Sequence, residues 1–200
     1  MKAQTKESQQ QTTPEEALEI LKNGNKRFVQ NSGITRDFSE QISDTSGGQY
    51  PFAVVLSCID SRVPAEIVFD QGIGDLFSVR VAGNIINEDV LGSIEYGCKA
   101  AGSKIVVVLG HTKCGAVTAA CKGVELGNIT SLLDKIKPAV TKVNKEVSED
   151  SIEETAIVNV QLSIERIKAE SPILAEMEQN GEIKIIGASY SVSTGEVTFL

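Results

Sequence analysis

Several residue types are scarce in this sequence, and each shortage excludes a class of protein. Four cysteines are too few for a small scaffold held together by disulfides. The longest apolar runs have only the length of a strand, so the sequence offers no candidate membrane span. A formal net charge of −8 argues against nucleic acid or an anionic membrane surface as a partner. There is one histidine, so any chemistry that needs an imidazole must use His111.

The composition fits one folded domain, because 41% of the 200 residues are hydrophobic and can bury a sizeable core. Met1 to Thr12 is polar and contains several Gln residues, which predicts a disordered segment over 1–12 followed by a single domain over 13–200. This start lacks the apolar centre of a signal peptide. We therefore expect a cytoplasmic protein, or a periplasmic one if an export signal has been removed.

Helix-like and strand-like patterns alternate along the domain. Thr13, Pro14 and Glu16 form a helix start, which predicts a helical N-terminal arm to about Asn31. Further helices are predicted over 87–101, 115–122, 129–147 and 151–170, strands over 51–57, 77–81, 104–109, 182–188 and 196–200, and a loop over 32–49. The acidic stretch over 146–154 is interpreted as a solvated helix start. The alternation predicts an α/β fold with a mostly parallel sheet flanked by helices and a C-terminal edge strand.

Three side chains of the types that bind metals follow two of the predicted strands. Cys58 comes directly after residues 51–57, and His111 and Cys114 follow residues 104–109. Open α/β sheets bind ligands at the edge where the strands end. One imidazole and two thiolates suit zinc, and Asp60 is close enough in sequence to supply an oxygen ligand. Because buried cysteines and lone histidines are also common without a metal, this pattern alone leaves a structural role open.

Two motifs resemble those of a known family. They are Cys58-x-Asp60-Ser61-Arg62 and Gly110-His111-x-x-Cys114-Gly115. Together they resemble the signature of the β-class carbonic anhydrases, and the similarity runs from about the first helix to the C-terminus. The family usually has a small residue where this chain has Ile59, and we expect that side chain to point into the core. The resemblance implies a zinc-dependent lyase that converts carbon dioxide reversibly to bicarbonate and a proton, by attack of zinc-bound hydroxide.

The resemblance also implies roles for individual residues. Cys58, His111 and Cys114 would hold Zn²⁺, and Asp60 would join them only in a closed state. We expect both Asp60 and Arg62 to be catalytic, because a bidentate pair with Arg62 would hold Asp60 off the metal, where it can orient the nucleophile. The substrate-binding residues would be Gln49, Phe77, Ala82, Tyr96 and Gly115. In this family the pocket lies at a dimer interface, which implies a homodimer or a homotetramer.

Three other functions stay open at this point. A hydrolase of COS or CS2 would use a related fold and the same ligands on a linear isostere of carbon dioxide. A non-catalytic protein that binds zinc or an anion would keep the metal ligands but would not need Asp60 and Arg62 together. A cysteine nucleophile paired with His111 would work without a metal and would be inactivated by alkylation.

Overall fold

Five strands form one sheet in the computed structural model, which describes residues 3–200. They are β1 (Ala53–Ser57), β2 (Leu76–Arg80), β3 (Ile105–His111), β4 (Lys184–Tyr190) and β5 (Val197–Phe199). Their order across the sheet is β2-β1-β3-β4-β5. The first four strands are parallel, and β5 pairs antiparallel with β4 at one edge. The predicted mostly parallel sheet with a C-terminal edge strand is confirmed.

Helices cover both faces of the sheet. They are α1 (Lys6–Gln11), α2 (Pro14–Val29), α3 (Phe38–Thr45), α4 (Ala65–Val68), α5 (Glu88–Glu95), α6 (Gly115–Cys121), α7 (Gly127–Leu133), α8 (Lys137–Val143), α9 (Glu149–Glu170) and α10 (Pro172–Gln179). Val54 and Leu56 of β1 belong to the core layer that includes residues of α9 and α10, whereas Val55 belongs to the layer with α2 and α4. Burial on both faces explains why β1 and β3 are continuous apolar runs.

The 22-residue helix α9 lies directly against β3. Gly110 allows this approach, because a Cβ at that position would lie 2.6 Å from Cγ2 of Val160. The first turns of α9 reach the segment just beyond β3, where the Lys113 N–H donates to Glu153. The helix therefore passes beside the end of the strand that carries His111.

The N-terminal segment differs from the prediction. Residues 1–12 were expected to be disordered, but α1 occupies Lys6–Gln11, while residues 1–2 lie outside the described part. Thr5 and Ser8 form a reciprocal capping box at the start of α1. The buried Gln9 donates to two distant carbonyl oxygens, those of Pro51 and Ala101, each at 2.7 Å. These contacts with the strand-bearing part of the chain fix a segment that its composition alone assigns to disorder.

Other helices also depart from the predicted pattern. α3 lies within the expected loop 32–49, where Asp37 caps it and the Gln41 side chain accepts the Ile73 N–H at 3.1 Å. The helix expected over 129–147 is divided into α7 and α8, and Pro138 lies in the first turn of α8. Ser171 caps α10, which has no counterpart among the predicted helices. Within residues 3–200 no helix is both long and apolar enough to span a membrane.

The role of α1 can be tested with Gln9→Ala. We expect this change to lower the free energy of unfolding by about 1–3 kcal/mol, because the Ala101 carbonyl loses the Gln9 donor and the buried Pro51 carbonyl keeps only the Ser103 hydroxyl. Gln10→Ala is the matched control, since Gln10 is the exposed neighbour on the same helix. Urea unfolding of both variants measures the difference. Equal stability of the two variants would show that α1 is not anchored through Gln9.

Candidate metal centre

The structure brings Cys58, His111 and Cys114 together at the carboxyl edge of the sheet. β1 and β3 pair in register from Ala53 with Ile105 to Ser57 with Leu109, so the segments that follow them leave side by side. His111 is the last residue of β3, and Cys114 is the residue before α6. The two sulfurs and a ring nitrogen lie within 4.8 Å of one another, and all three residues are buried.

The orientation of the imidazole points to a metal. His111 Nδ1 lies 2.9 Å from the carbonyl oxygen of Thr112, which can only accept, so Nδ1 carries the proton. Nε2 is therefore an acceptor, and it is buried with no hydrogen-bond partner among residues 3–200. A buried polar atom without a partner is unfavourable unless a ligand satisfies it. Nε2 together with the two sulfurs forms the soft donor set that zinc prefers.

The environment of Cys58 favours its thiolate. A hydrogen bond from the Cys114 thiol is the main cause that lowers the pKa of Cys58, and the Gly83 N–H acts in the same direction, while burial opposes them. The Gly83 nitrogen lies 3.3 Å from Cys58 Sγ. The same pairing with Cys58, together with burial, raises the pKa of Cys114. A metal ion would displace the proton that the two sulfurs share.

Asp60 and Arg62 form the bidentate pair that the sequence analysis expected. Arg62 Nε donates to Oδ1 at 2.9 Å, and Nη2 donates to Oδ2 at 2.7 Å. The guanidinium holds the pKa of Asp60 well below its usual range. Asp60 Oδ2 remains 3.9 Å from His111 Nε2, so the carboxylate borders the three donor atoms while it is engaged by Arg62.

Arg80, which is not among the predicted site residues, also supports this segment. Its Nε donates to the carbonyl of Cys58 at 3.1 Å and its Nη2 to the carbonyl of Asp60 at 2.7 Å. The only signal in the sequence is a cation at the end of a predicted strand. The expectation that Ile59 points into the core is wrong, because its side chain is 61% exposed. Cys58 and Asp60 face the cluster, and in an extended segment the residue between them faces the opposite way.

The expected substrate-binding residues fall into two groups. Ala82 and Gly115 adjoin the cluster: Ala82 precedes Gly83, and Gly115 follows Cys114. Gln49, Phe77 and Tyr96 lie elsewhere.

Phe77 pairs with Val54, four residues before Cys58, which places it about 13 Å away along the strand direction. The rings of Phe77 and Tyr96 pack edge to face with centroids 6.1 Å apart. Gln49 and Tyr96 line one cavity of about 520 Å³. A single chain therefore does not bring these three residues to the cluster.

The other two cysteines do not take part in the site. Cys98 is buried in an apolar layer, and burial raises the pKa of its thiol to about 12. Cys121 is half-buried near the end of α6. Both fit the role of small packing residues.

Comparisons with known proteins identify the family of this chain. A sequence profile of the carbonic anhydrase family matches residues 53–197. Carbonic anhydrase 2 of Mycobacterium tuberculosis is 36% identical over 192 residues, covering 92% of this chain and 91% of that protein. The carbonic anhydrase of Mycolicibacterium smegmatis is 34% identical over 192 residues and covers 93% of each.

Solved structures show the same fold. The β-carbonic anhydrase CafA of Aspergillus fumigatus superposes with a TM-score of 0.75 at 25% identity, covering 81% of each chain. One of two tetrameric β-carbonic anhydrases of Sordaria macrospora superposes with a TM-score of 0.71 at 22% identity, covering 78% of this chain and 83% of that one. The chain belongs to the carbonic anhydrase family and has the fold of its β class.

Gly83 offers a test of the site's support. Its φ is +68°, and a Cβ would lie 2.6 Å from Cδ1 of Ile136. We expect Gly83→Ala to displace the N–H that reaches Cys58 and to weaken zinc binding about 10-fold. A competition titration against a chelator measures this affinity.

Gly123→Ala is the matched control for backbone strain alone. Its φ is +65°, and within the described part of the chain nothing lies within 4 Å of a Cβ built there. This variant should lose stability but keep its zinc affinity. Wild-type zinc affinity in Gly83→Ala would contradict the proposed support.

Proposed function

We propose that this protein hydrates carbon dioxide reversibly to bicarbonate and a proton at a zinc ion held by Cys58, His111 and Cys114. The observation that carries the proposal is the buried Nε2 of His111, which has no hydrogen-bond partner among residues 3–200 and lies beside two sulfurs, with the Asp60 carboxylate at the border of the same cluster. Membership of the carbonic anhydrase family supports the reaction. Zinc bound there supplies the Lewis acidity that makes water a nucleophile near neutral pH.

Asp60, held by Arg62, orients the attacking water. Oδ1 of Asp60 accepts two bonds from Arg62, one from its backbone N–H and one from Nε, whereas Oδ2 accepts one bond from Nη2 and keeps a further lone pair. Asp60 can therefore accept a hydrogen bond from the attacking water and fix its direction. Because Arg62 keeps the pKa of Asp60 low, the carboxylate remains an acceptor throughout the neutral range. Arg62 acts through Asp60, which it holds in place and away from the donor atoms.

Burial of the thiols argues against a cysteine nucleophile. Cys58 is 4% exposed and Cys114 is 2% exposed, whereas a nucleophilic thiol must reach its substrate. Both sulfurs are directed toward Nε2 and each other within the cluster. This arrangement suits coordination of one ion better than attack on an external carbon.

The substrate pocket requires a second copy of the chain. Gln49, Phe77 and Tyr96 are too far from Cys58 to act on its site within one chain. Tyr96 is 57% exposed beside Phe77, so this apolar pair is available to face a partner. In a symmetric dimer each copy can present these side chains to the metal centre of the other. The tetrameric state of the Sordaria macrospora enzymes is consistent with such an assembly.

Substitution of the ligands tests the metal site. We expect Cys58→Ser, His111→Ala and Cys114→Ser each to lower zinc affinity by more than about 100-fold, because a hydroxyl or a methyl group cannot replace these donors. The hydration rate should fall with zinc content. Cys121→Ser is the control and should keep both. Zinc stoichiometry and stopped-flow hydration are measured on the same samples, and full zinc with a normal rate in Cys58→Ser would contradict the assignment.

A hybrid dimer tests the composite pocket. Cys58→Ser and Gln49→Ala chains carrying different tags are co-expressed, and the mixed species is purified. If Gln49 serves the partner's metal, one of the two sites in the hybrid is intact and activity returns to about half that of the wild type. If the pocket were complete within one chain, the hybrid would not exceed the mean of the two parent variants. The second result would contradict a shared site.

A further inference from the structure

The turn between two of the metal ligands has an unfavourable backbone conformation. Lys113 lies between His111 and Cys114 and has a φ of +55°. A residue with a side chain rarely adopts this left-handed region unless its surroundings hold it there. The direction in which Cys114 leaves β3 depends on this residue. Whatever holds Lys113 in place therefore also sets the distance between the two ligands.

Two side chains from distant parts of the sequence hold the Lys113 backbone. Its N–H donates to Oε1 of Glu153 at 2.7 Å. Its carbonyl accepts from Nη2 of Arg62 at 3.3 Å, a longer bond from a side chain that also engages Asp60. The short bond to a carboxylate is the stronger restraint. The Lys113 side chain itself is exposed.

Glu153 is well placed to act as this restraint because α9 is firmly anchored. A capping box at Ser148 and Ser151 fixes the first turn of the helix. Farther along, Asn159 Nδ2 donates to the carbonyl of Gly83 at 2.9 Å, and the Gly83 N–H reaches Cys58 Sγ. One helix therefore holds the backbone beside Cys58 and the backbone beside Cys114.

We infer that Glu153 is a positioning residue for the metal centre: its carboxylate keeps the Lys113 turn in the left-handed conformation that directs His111 and Cys114 at one ion. This inference rests on the proposed zinc function. It assigns a specific task to a glutamate whose sequence context, an acidic helix start, indicates only solvation.

Glu153→Met removes the acceptor oxygen and keeps the length of the side chain, and Glu153→Gln keeps an acceptor. We expect zinc to leave Glu153→Met about 10-fold faster than the wild type when an excess of chelator is added. Glu153→Gln should remain close to the wild type. Glu154→Met is the matched control, because Glu154 is the next residue on the helix and pairs with Lys145 instead.

A second pair of readouts separates positioning from general stability. The thiolate-to-metal absorption of the Co²⁺-substituted protein should change in Glu153→Met, since the ligand geometry changes. Lys113→Gly should reduce the effect of Glu153→Met in a double-mutant cycle, because glycine adopts φ near +55° without the restraint. A merely structural role would lower the stability of the apoprotein and leave both readouts unchanged.

The outcomes are distinct. Faster zinc release, an altered cobalt spectrum and rescue by Lys113→Gly would support the inference. Wild-type release and spectrum in Glu153→Met, with zinc and hydration activity normal in the wild type, would overturn this inference alone. The inference would also be overturned if Glu154→Met behaved as Glu153→Met does. A wild-type protein that binds no zinc would overturn the proposed function as well.

Discussion

Three donor atoms placed side by side away from water are the constraint on which the rest of this structure depends. Nε2 of His111 has no hydrogen-bond partner within the described chain, and it faces two buried sulfurs. Leaving such groups unsatisfied is unfavourable, and burying a thiolate is more so. A zinc ion would satisfy all three donors and balance the charge of the sulfurs. Under the proposed function, folding of this sheet edge and metal binding would therefore be coupled.

Parallel strand pairing accounts for only part of the placement of the three donor atoms. The register of β1 and β3 brings the two ligand-bearing segments to the same edge, but both segments are irregular once the strands end. Arg80 holds the carbonyls of Cys58 and Asp60, and α9 approaches from the side to hold Gly83 and Lys113. Gly83 adopts its positive φ at no steric cost, whereas the positive φ of Lys113 is a conformation that the local sequence does not favour.

The difference between regular strand pairing and these contacts from distant residues explains what could be predicted from the sequence. Cys58, His111 and Cys114 were accessible because apolar runs identify buried strands, and strand ends of a parallel sheet share an edge. The bidentate pair of Asp60 and Arg62 could be predicted because the two residues are only two positions apart in sequence. Glu153 was not, because its partner Lys113 is distant in sequence and the surrounding acidic stretch has no distinctive pattern. The order of α1 depends in the same way on Gln9 and its distant carbonyl partners, which composition cannot show.

The length of the strands places the donor residues far from the expected substrate-binding residues, so metal retention and substrate contact are separated. The three donor residues lie at the carboxyl ends of β1 and β3, whereas Phe77 is level with Val54 near the opposite ends. A side chain does not span the intervening distance of about 13 Å, so under the proposed function metal retention belongs to one chain and substrate contact to a pair of chains. The exposed Tyr96 beside Phe77 is apolar area that a partner can bury, and the same contact that stabilises the dimer would complete the pocket. Activity would then require assembly, although each chain carries all three of the proposed metal ligands.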